Sequence, residues 1–289
     1  MSQVAVAPQT EGEAEIIAGP MERARTAMAA LAAADQARVD EAVTALAWSI
    51  YKPERAEELA ELAVLDTGLG NAESKIIKNQ RKTFGCLRDL MRAKTVGVIE
   101  EDKAKGLVKY AKPVGVVAAI APSTNPAATP VNKAMMALKG ANAVIVAPSP
   151  AGANTTTKTV DYMRDELEKI GLPADLVQVL PQPVNKALTQ TLMEAADLVV
   201  VTGSQNNVRR AYSSGTPAIG VGAGNVSVII DSGADLKDAA DKITQSKIFD
   251  NATSCSSENA LIILEDVYDA ALEALKDAGG YLATAEEKD

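Results

Sequence analysis

The sequence predicts an α/β protein with an N-terminal layer of helices, a doubly wound parallel sheet and the start of a second α/β domain. Apolar residues recur at helical spacing through residues 20–92, and from about residue 114 continuous apolar runs alternate with helix-length segments. The chain has 289 residues, of which 47% are hydrophobic and 23% charged. Alternating runs of this kind indicate βαβ units with parallel strands buried on both faces.

The helical layer follows from start signals and apolar spacing. Asp35 precedes one helix and Pro53, at a first helical position, opens another. A third helix is predicted over residues 72–91, with a buried face made of Ile76, Phe84, Leu87 and Leu90. Residues 1–19 carry no periodic pattern, so we expect a flexible N-terminus there.

Strands and helices alternate through the rest of the chain. Residues 95–112 are predicted to be extended, with short strands at 95–100 and 107–111. A Rossmann-like sheet follows, with strands at 114–121, 143–147, 176–180 and 197–201 and helices at 130–139, 154–170, 185–195 and from 204. Further strands are predicted at 226–230 and 259–264, and further helices at 236–249 and 267–278. The predicted division is therefore 1–19, 20–248 and 249–289.

Composition excludes several classes of function. Lys and Arg number 29 against 38 Asp and Glu, a net charge of −9, and no basic cluster exists to bind nucleic acid or an anionic membrane. No apolar run approaches the roughly 20 residues of a membrane span, and no signal or transit pattern is visible, so we expect a cytoplasmic protein. Histidine is absent, which removes Ser-His, Cys-His and His-metal mechanisms, and no metal site is predicted.

One loop after a predicted strand is a candidate ligand site, because ligands of doubly wound sheets bind at the carboxyl ends of the strands. Pro122, Ser123, Thr124 and Asn125 follow the first strand of the sheet and lead into a helix. This geometry offers backbone N–H groups to an anion. The alternative is a turn between two prolines in which Asn125 caps the helix.

Two further loops contain glycine. Gly203 and Ser204 follow a buried strand and start a helix, so they either cradle a phosphate or simply cap that helix. Gly220 and Gly222 belong to a glycine-rich run, residues 220–225, that is spelled like a dinucleotide fingerprint but precedes a strand instead of opening a helix. This run therefore predicts a close approach of the backbone to a ligand or to a neighbouring segment.

The two cysteines differ in their surroundings. Cys86 lies within an apolar helical face and is interpreted as an inert packed thiol. Cys255 is flanked by small polar residues just before a strand, which predicts an accessible side chain. A thiolate can be favoured by helix N-termini, backbone N–H groups or a cationic cofactor, so the lack of histidine does not exclude Cys255 as a nucleophile.

Four motifs, in order, resemble those of CoA-acylating aldehyde dehydrogenases: Pro122-Ser-Thr-Asn-Pro126, Ala211-Tyr-Ser-Ser-Gly215, Pro217-Ala-Ile-Gly-Val-Gly-Ala-Gly-Asn225 and Phe249-Asp-Asn-Ala-Thr-Ser-Cys255-Ser-Ser-Glu-Asn259. The resemblance runs from about residue 113 to residue 264. The variants Pro148-Ser-Pro-Ala-Gly152 and Ser254-Cys-Ser-Ser-Glu258 are most similar to members of the family that act on sulfoacetaldehyde. The second α/β domain would then be the family's catalytic domain.

The resemblance implies a ping-pong oxidation of a small aldehyde. The Cys255 thiolate attacks the aldehyde, and the oxyanion is held by the Asn125 side chain and the backbone N–H of Cys255. Hydride passes to a nicotinamide, and coenzyme A takes the acyl group from the resulting thioester. Hydrolytic members of the superfamily carry a glutamate where this chain has Gly220, so transfer to CoA is favoured over hydrolysis. Glu258 is interpreted as structural, not as a substitute base.

The resemblance leaves the nicotinamide cofactor open between NAD and NADP. Members of the superfamily commonly contact the adenosine ribose with a Lys and a Glu, at positions that here are Ala147 and Pro150. NADP is acceptable because the carboxylate is absent and because Ser149 supplies a hydroxyl that can donate a hydrogen bond. However, residues 148–157 contain no Lys or Arg to bind its 2′-phosphate.

The family has a further long segment after the nucleophile strand, whereas here there is room for one strand, one helix and a polar tail. We therefore expect a truncated chain that turns over poorly alone and forms a homo-oligomer when full length.

A sulfonate substrate would need cations, and Arg209 and Arg210 are the nearest candidates, unless they only form a solvated helix face. The alternatives are a hydrolytic aldehyde dehydrogenase and a non-catalytic nucleotide-binding or assembly fragment.

Overall fold

A computed structural model describes residues 11–288. The helices are α1 (Glu11–Met28), α2 (Gln36–Tyr51), α3 (Pro53–Thr67), α4 (Ala72–Leu90), α5 (Ala128–Lys139), α6 (Ala153–Lys169), α7 (Lys186–Ala195), α8 (Gln205–Tyr212), α9 (Leu236–Ile248) and α10 (Tyr268–Asp277). The strands are β1 (Gly97–Asp102), β2 (Leu107–Ala111), β3 (Val116–Ile120), β4 (Ala143–Ala147), β5 (Val177–Val179), β6 (Leu198–Thr202), β7 (Ala218–Val221), β8 (Val226–Ile230) and β9 (Glu258–Ile263). Within this part of the chain, no helix combines the length and apolar character needed to cross a bilayer.

The chain divides into two compact units, Met1–Gly222 and Ala223–Asp289. This division lies earlier than the predicted one at residues 248 and 249. The physical reason is strand pairing, because β8 pairs in parallel with β9 and not with the central sheet. Strand β8 and helix α9 therefore belong to the same unit as Cys255.

The predicted flexible N-terminus is wrong for residues 11–19, which lie in α1. Residues 1–10 are outside the described part of the chain. Helix α1 continues through Pro20 and buries a stripe at helical spacing, formed by Ile17, Met21, Ala24 and Ala27. This burial outweighs the local cost of an internal proline, which lacks the N–H of a normal helical residue.

The central sheet has the order β5-β4-β3-β6-β7, and all of its strands are parallel. Every residue of β3 and β4 is buried, as their continuous apolar runs predicted. The chain moves from β3 outward to β4 and β5, and then returns to the other side of β3 with β6. The reversal of direction at β3 makes the point between β3 and β6 the topological switch of a doubly wound fold. The predicted α/β class is confirmed.

Helix α4 differs from its prediction because its buried face is polar. Lys75, Lys78, Asn79 and Thr83 are buried, whereas Phe84 is 53% exposed. Phe84 instead lies beside Tyr51 of α2, with ring centroids 6.0 Å apart. Of the predicted apolar face, Leu87 and Leu90 do pack against the core. A tertiary hydrogen bond from the Asn79 amide to Ala56 O at 3.1 Å satisfies one buried polar group of this face, whereas the Thr83 hydroxyl is buried without a hydrogen bond to any described residue.

Two smaller sheets complete the description. The two short strands predicted within residues 95–112 are present as β1 and β2, and they pair as an antiparallel ribbon that leaves Leu107, Val108 and Tyr110 exposed. Strands β8 and β9 form a parallel pair in the second unit, together with α9 and α10.

Candidate active site

The carboxyl ends of β4, β3, β6 and β7 lie side by side along one edge of the central sheet. Ile120 of β3 is in register with Ala147 of β4 and Val201 of β6, and Val201 is in register with Gly220 of β7. The loops that follow these strands contain most of the predicted cofactor-binding residues: Pro122, Ser123, Thr124, Ser149, Gly203, Ser204 and Gly222. The fold thus brings these residues to the edge where ligands of doubly wound sheets bind.

Asn125 is not the helix cap that the simpler interpretation proposed. Helix α5 begins at Ala128, and its N-cap, Ala127, makes no side-chain capping bond. Asn125 is half-buried, and its amide makes no hydrogen bond to any other residue that the structure describes. Its N–H groups are therefore available to a ligand oxygen.

The loop that contains Asn125 is braced from two sides. The Lys78 ammonium of α4 donates to Thr124 O at 3.4 Å, and the Thr156 hydroxyl of α6 donates to Pro126 O at 2.8 Å. A Cβ on Gly152 would lie only 2.7 Å from Pro126 Cβ, so the loop after β4 closely approaches the loop after β3. These contacts make the two loops one rigid edge.

The start of α6 is also held in place by a carboxylate. Asp66 accepts hydrogen bonds from the backbone N–H and the hydroxyl of Thr155, at 2.8 and 2.7 Å. A carboxylate at a helix N-terminus is electrostatically favourable. Ser149, just before this helix, is half-buried and its hydroxyl makes no side-chain cap.

Of the two alternatives predicted for the loop between β6 and α8, a phosphate-binding turn or a helix cap, the structure has the helix cap. The Ser204 hydroxyl accepts the Asn207 N–H at 3.3 Å and caps α8. The Gly203 N–H donates to Val221 O at 3.2 Å, so it joins the ends of β6 and β7.

The two arginines of α8 differ in their environments. Arg210 donates to Lys186 O at 2.5 Å and to the Gln190 side chain at 3.1 Å, so it braces α8 against α7. Burial lowers the pKa of Arg210. Arg209 is exposed. Only Arg209 therefore remains as a cation that faces solvent on this helix.

Gly220 is closed in by α8. A Cβ at this position would lie 2.8 Å from Val208 Cγ1 and 3.1 Å from Tyr212 Cε2. The Tyr212 hydroxyl also accepts the Gly220 N–H at 3.1 Å. Gly222 differs, because the atoms nearest to a Cβ there belong to the flexible amide of Gln205.

Lys133 is a buried lysine that sequence reasoning missed. Its ammonium nitrogen donates to Ile120 O of β3 at 2.5 Å and to Val200 O of β6 at 2.9 Å, across the topological switch. Burial lowers the pKa of Lys133 to about 7. A lysine within the apolar face of α5 was the available signal, but its partners could not be read from the chain order.

Cys255 lies in the second unit and is exposed. It follows a turn in which Asp250, Asn251 and Ala252 have φ values of 52°, 52° and 59°, a left-handed conformation that is costly for residues with a side chain. In the same unit a Cβ on Gly224 would lie 3.3 Å from Cys255 O, so the glycine-rich run approaches this segment closely, as predicted.

The other cysteine, Cys86, is less suited to act as a nucleophile than Cys255. Cys86 of the first unit is half-buried, and burial raises the pKa of its thiol, with Asp89 adding to the effect. One carboxylate oxygen of Glu258 is buried without a hydrogen bond to any described residue. No cluster of three or more metal-ligating side chains occurs among residues 11–288.

A sequence profile of the aldehyde dehydrogenase family matches residues 2–286, and the chain belongs to that family. It is 58% identical over 278 residues to an acylating sulfoacetaldehyde dehydrogenase of Cupriavidus necator, covering 96% of this chain and 56% of that protein. It is 50% identical over 269 residues to a second acylating sulfoacetaldehyde dehydrogenase, from Bilophila wadsworthia, covering 93% of this chain and 58% of that protein. The chain thus spans little more than half the length of these relatives.

Solved structures agree with the sequence comparison. An acetylating aldehyde dehydrogenase from Geobacillus thermoglucosidasius matches with a TM-score of 0.89 and 36% identity, over 96% of this chain and 61% of that one. A propionaldehyde dehydrogenase from Rhodopseudomonas palustris, solved with bound CoA and an acylated cysteine, matches with a TM-score of 0.80 and 28% identity, over 93% of this chain and 61% of that one.

Proposed function

We propose that this chain is the cofactor-binding part, with the nucleophile segment, of an enzyme that oxidises a small aldehyde to its acyl-CoA with NAD or NADP. The observation that carries the proposal is Gly220, which has no carboxylate and no space for one beside Val208. Without a base to activate water, a thiol is the favoured acceptor of the acyl group. The acylating relatives support the same reaction.

In this proposal Cys255 supplies the nucleophile. Its thiolate adds to the aldehyde carbon, and the Asn125 amide and the Cys255 N–H donate to the oxyanion that forms. A bound nicotinamide supplies the hydride acceptor for the step that leaves a thioester on Cys255. The thiol of CoA then forms a new C–S bond to the acyl carbon while the bond to Cys255 breaks.

The residues at the sheet edge suit a nicotinamide dinucleotide. The loops after β3 and β4 are braced, Asn125 keeps an uncommitted amide, and Ser149 can donate to the adenosine ribose. Residues 148–157 contain no cation, and Asp66 holds a carboxylate at the start of α6. A 2′-phosphate at that helix would meet this negative charge, so we expect NAD to be used with a lower KM than NADP.

Sulfoacetaldehyde is the substrate that we propose. The two relatives described above support this choice, and Arg209 is the exposed cation of α8 that can attract a sulfonate. Substrate profiling with sulfoacetaldehyde, acetaldehyde and propanal tests it. A preference for the uncharged aldehydes would contradict the proposal.

The reaction itself is tested by incubating the chain with aldehyde, NAD or NADP, and CoA, and identifying products by mass spectrometry. We expect acyl-CoA from the unmodified chain and from the matched control Cys86→Ala, in slow turnover, and none from Cys255→Ala. Free acid without acyl-CoA would favour the hydrolytic alternative. No product and no cofactor binding would favour a non-catalytic assembly fragment. The homo-oligomeric state and the cytoplasmic location stay predictions.

A further inference from the structure

The closure of position 220 has a structural cause in helix α8. Val208 Cγ1 and Tyr212 Cε2 would lie 2.8 and 3.1 Å from a Cβ at that position, and Val201 Cγ1 of the neighbouring strand would lie 3.3 Å away. A Cβ closer than 3.0 Å to another heavy atom requires a shift, so even an alanine at position 220 displaces Val208 or the helix that carries it. Val208 resists this movement because it packs against the hydrophobic core.

The Tyr212 hydroxyl is held in place by the backbone of β7. Val199 N–H donates to Pro217 O, and Gly203 N–H donates to Val221 O. The backbone N–H and C=O groups of the odd-numbered residues from 217 to 221 therefore point towards β6. The Gly220 N–H therefore points to the free edge of the sheet, where it donates to the Tyr212 hydroxyl at 3.1 Å. An edge N–H that finds a side-chain acceptor is satisfied without a further strand.

We infer that Val208 and Tyr212 are specificity-determining residues that restrict position 220 to glycine and thereby make the acyl acceptor a thiol instead of water. The inference rests on the proposed function, in which a thioester on Cys255 is the species to be resolved. It adds to that function the two side chains that prevent a carboxylate from entering. Neither side chain is assigned a contact with the reacting atoms.

The two acceptors differ in how much they need a base. For hydrolysis, a carboxylate must take a proton from water while the water oxygen bonds to the acyl carbon, the C–S bond breaks and the Cys255 sulfur leaves. Free water has a pKa near 15.7, whereas a thiol has a pKa of about 8.5 and forms its own nucleophilic anion near neutral pH. Keeping a carboxylate out of position 220 therefore slows the reaction with water and not the reaction with CoA.

The first experiment measures the steric restriction by unfolding in urea, without any reaction. We expect Gly220→Ala to lower the folding equilibrium constant at least tenfold. The matched control is Gly222→Ala, where the nearest neighbour is the movable Gln205 amide. When Val208 is already alanine, Gly220→Ala should lower the folding equilibrium constant by much less than tenfold. An equal effect of the two glycine substitutions, or no recovery with Val208→Ala, would overturn the inference.

The second experiment measures the chemical consequence. Cys255 is acylated with acetyl-CoA, free CoA is removed, and loss of the acyl group is followed by intact mass. We expect slow loss from the unmodified chain, from Val208→Ala and from Gly220→Glu, and at least tenfold faster loss from the double variant Val208→Ala/Gly220→Glu, because only this variant combines a base with removal of the closest obstructing atom, Val208 Cγ1.

The outcomes separate the two proposals. If the unmodified chain accepts no acyl group on Cys255, the proposed function fails, and the urea experiment still decides whether α8 restricts position 220. If the chain is acylated but the double variant loses the acyl group no faster than Gly220→Glu alone, the role of Val208 in acceptor choice is wrong.

Discussion

The two compact units of the chain differ in how completely they cover their sheets. In the first unit, every residue of β3 and β4 is buried. In the second unit, the β8–β9 pair leaves Ile229 and Ile262 69% and 53% exposed. Because burial of apolar area is the main stabilising contribution to folding, at about 25 cal/mol per Å², the first unit carries most of the stability of the chain.

The difference extends to charged groups. The first unit holds lysines and a glutamate in buried positions, including Lys133, Lys139 and Glu166. Ion pairs described in the second unit, such as Lys242 with Asp238 and Lys276 with Glu273, lie on its surface. Exposed pairs contribute little, whereas a buried charge strongly affects stability and its dependence on pH. Cys255, the proposed nucleophile, thus lies on the less stable part of the chain.

The largest expected effect is in hydrogen exchange. Amides of β3 and β4 should exchange at least about 1000-fold more slowly than amides of β8 and β9, because the two-stranded sheet opens without unfolding the central one. Exchange of the native chain followed by mass spectrometry measures this ratio. Equal protection of the two sheets would contradict the comparison.

The second prediction concerns Lys133 and pH. Folding lowers its pKa to about 7, so the unfolded chain binds more protons between pH 7 and about 10.4, and stability rises with pH across that window. Between pH 7 and 9.5 the unmodified chain should gain about 3 kcal/mol more than Lys133→Met, measured by urea unfolding.

The control for this prediction is Lys103→Met, which removes an exposed lysine of the same unit and should leave the pH dependence unchanged. The stability of β8 and β9, measured by hydrogen exchange of their amides, should not show the increase with pH that Lys133 causes. If Lys133→Met and Lys103→Met have the same pH dependence, Lys133 is not buried as a neutral amine.

The third prediction concerns Glu166, which joins α6 to α3. Its side chain is 8% exposed and accepts hydrogen bonds from Arg55 of α3 at 2.9 Å, from Lys52 at 2.9 Å and from Lys169 at 2.8 Å. Burial opposes ionisation of Glu166, but the bonds from Lys169 and Lys52 outweigh it and lower the pKa of the carboxyl. The ionised Glu166 therefore contributes fully to the free energy of unfolding at neutral pH. This contribution is lost as the pH falls below about 4.3, the ordinary pKa of Glu, and through the lower pKa of the folded state.

Glu166→Gln should cost about 2 kcal/mol at pH 7, because it leaves two ammonium groups and the Arg55 guanidinium without their partner. Glu41→Gln removes the partner of Arg38 at an exposed site and should cost less than about 0.5 kcal/mol. Urea unfolding at pH 7 and pH 4 measures both. A cost of Glu166→Gln that does not shrink at the lower pH would contradict the prediction.

The smallest effect is expected from two alanines in the left-handed conformation, Ala141 in the first unit and Ala252 in the second. Ala252→Gly should stabilise its turn by about 0.5 kcal/mol, because the relief of strain exceeds the added entropy of the unfolded chain. Ala141→Gly should gain less, because the methyl group removed is buried. Exchange of β9 amides reports the first effect and urea unfolding the second. Loss of stability at Ala252 would contradict the prediction.

Much of the fold could be predicted from the sequence where physical signals are local. Strands β2, β4 and β8 begin and end where their apolar runs meet Gly, Pro or polar residues. Strand β7 was missed because Gly220 lies within it and glycine has a low strand propensity. The buried polar face of α4 was missed because the partners of Lys78 and Asn79 belong to other parts of the fold and leave no signal in the periodicity.

The same distinction applies to the candidate site. The glycine at position 220 and the exposed thiol at Cys255 could be identified from the residues and their neighbours in the chain. The reason why position 220 excludes a side chain could not, because Val208 and Tyr212 reach it only through the packing of α8 on β7. Lys133 was missed for a similar reason, since its two carbonyl partners belong to strands about 80 residues apart.

The position of β3 at the centre of the sheet also affects how the chain is made. On the ribosome, β3 can pair with β4 soon after both emerge, but its other edge waits for β6, about 80 residues later. At 5–20 residues per second this wait lasts roughly 4–16 s. During that interval a nascent chain presents an apolar strand with an unpaired edge, a hazard for association with other nascent chains. The order of strands thus creates a period in which a chaperone that shields β3 would raise the yield of folded protein.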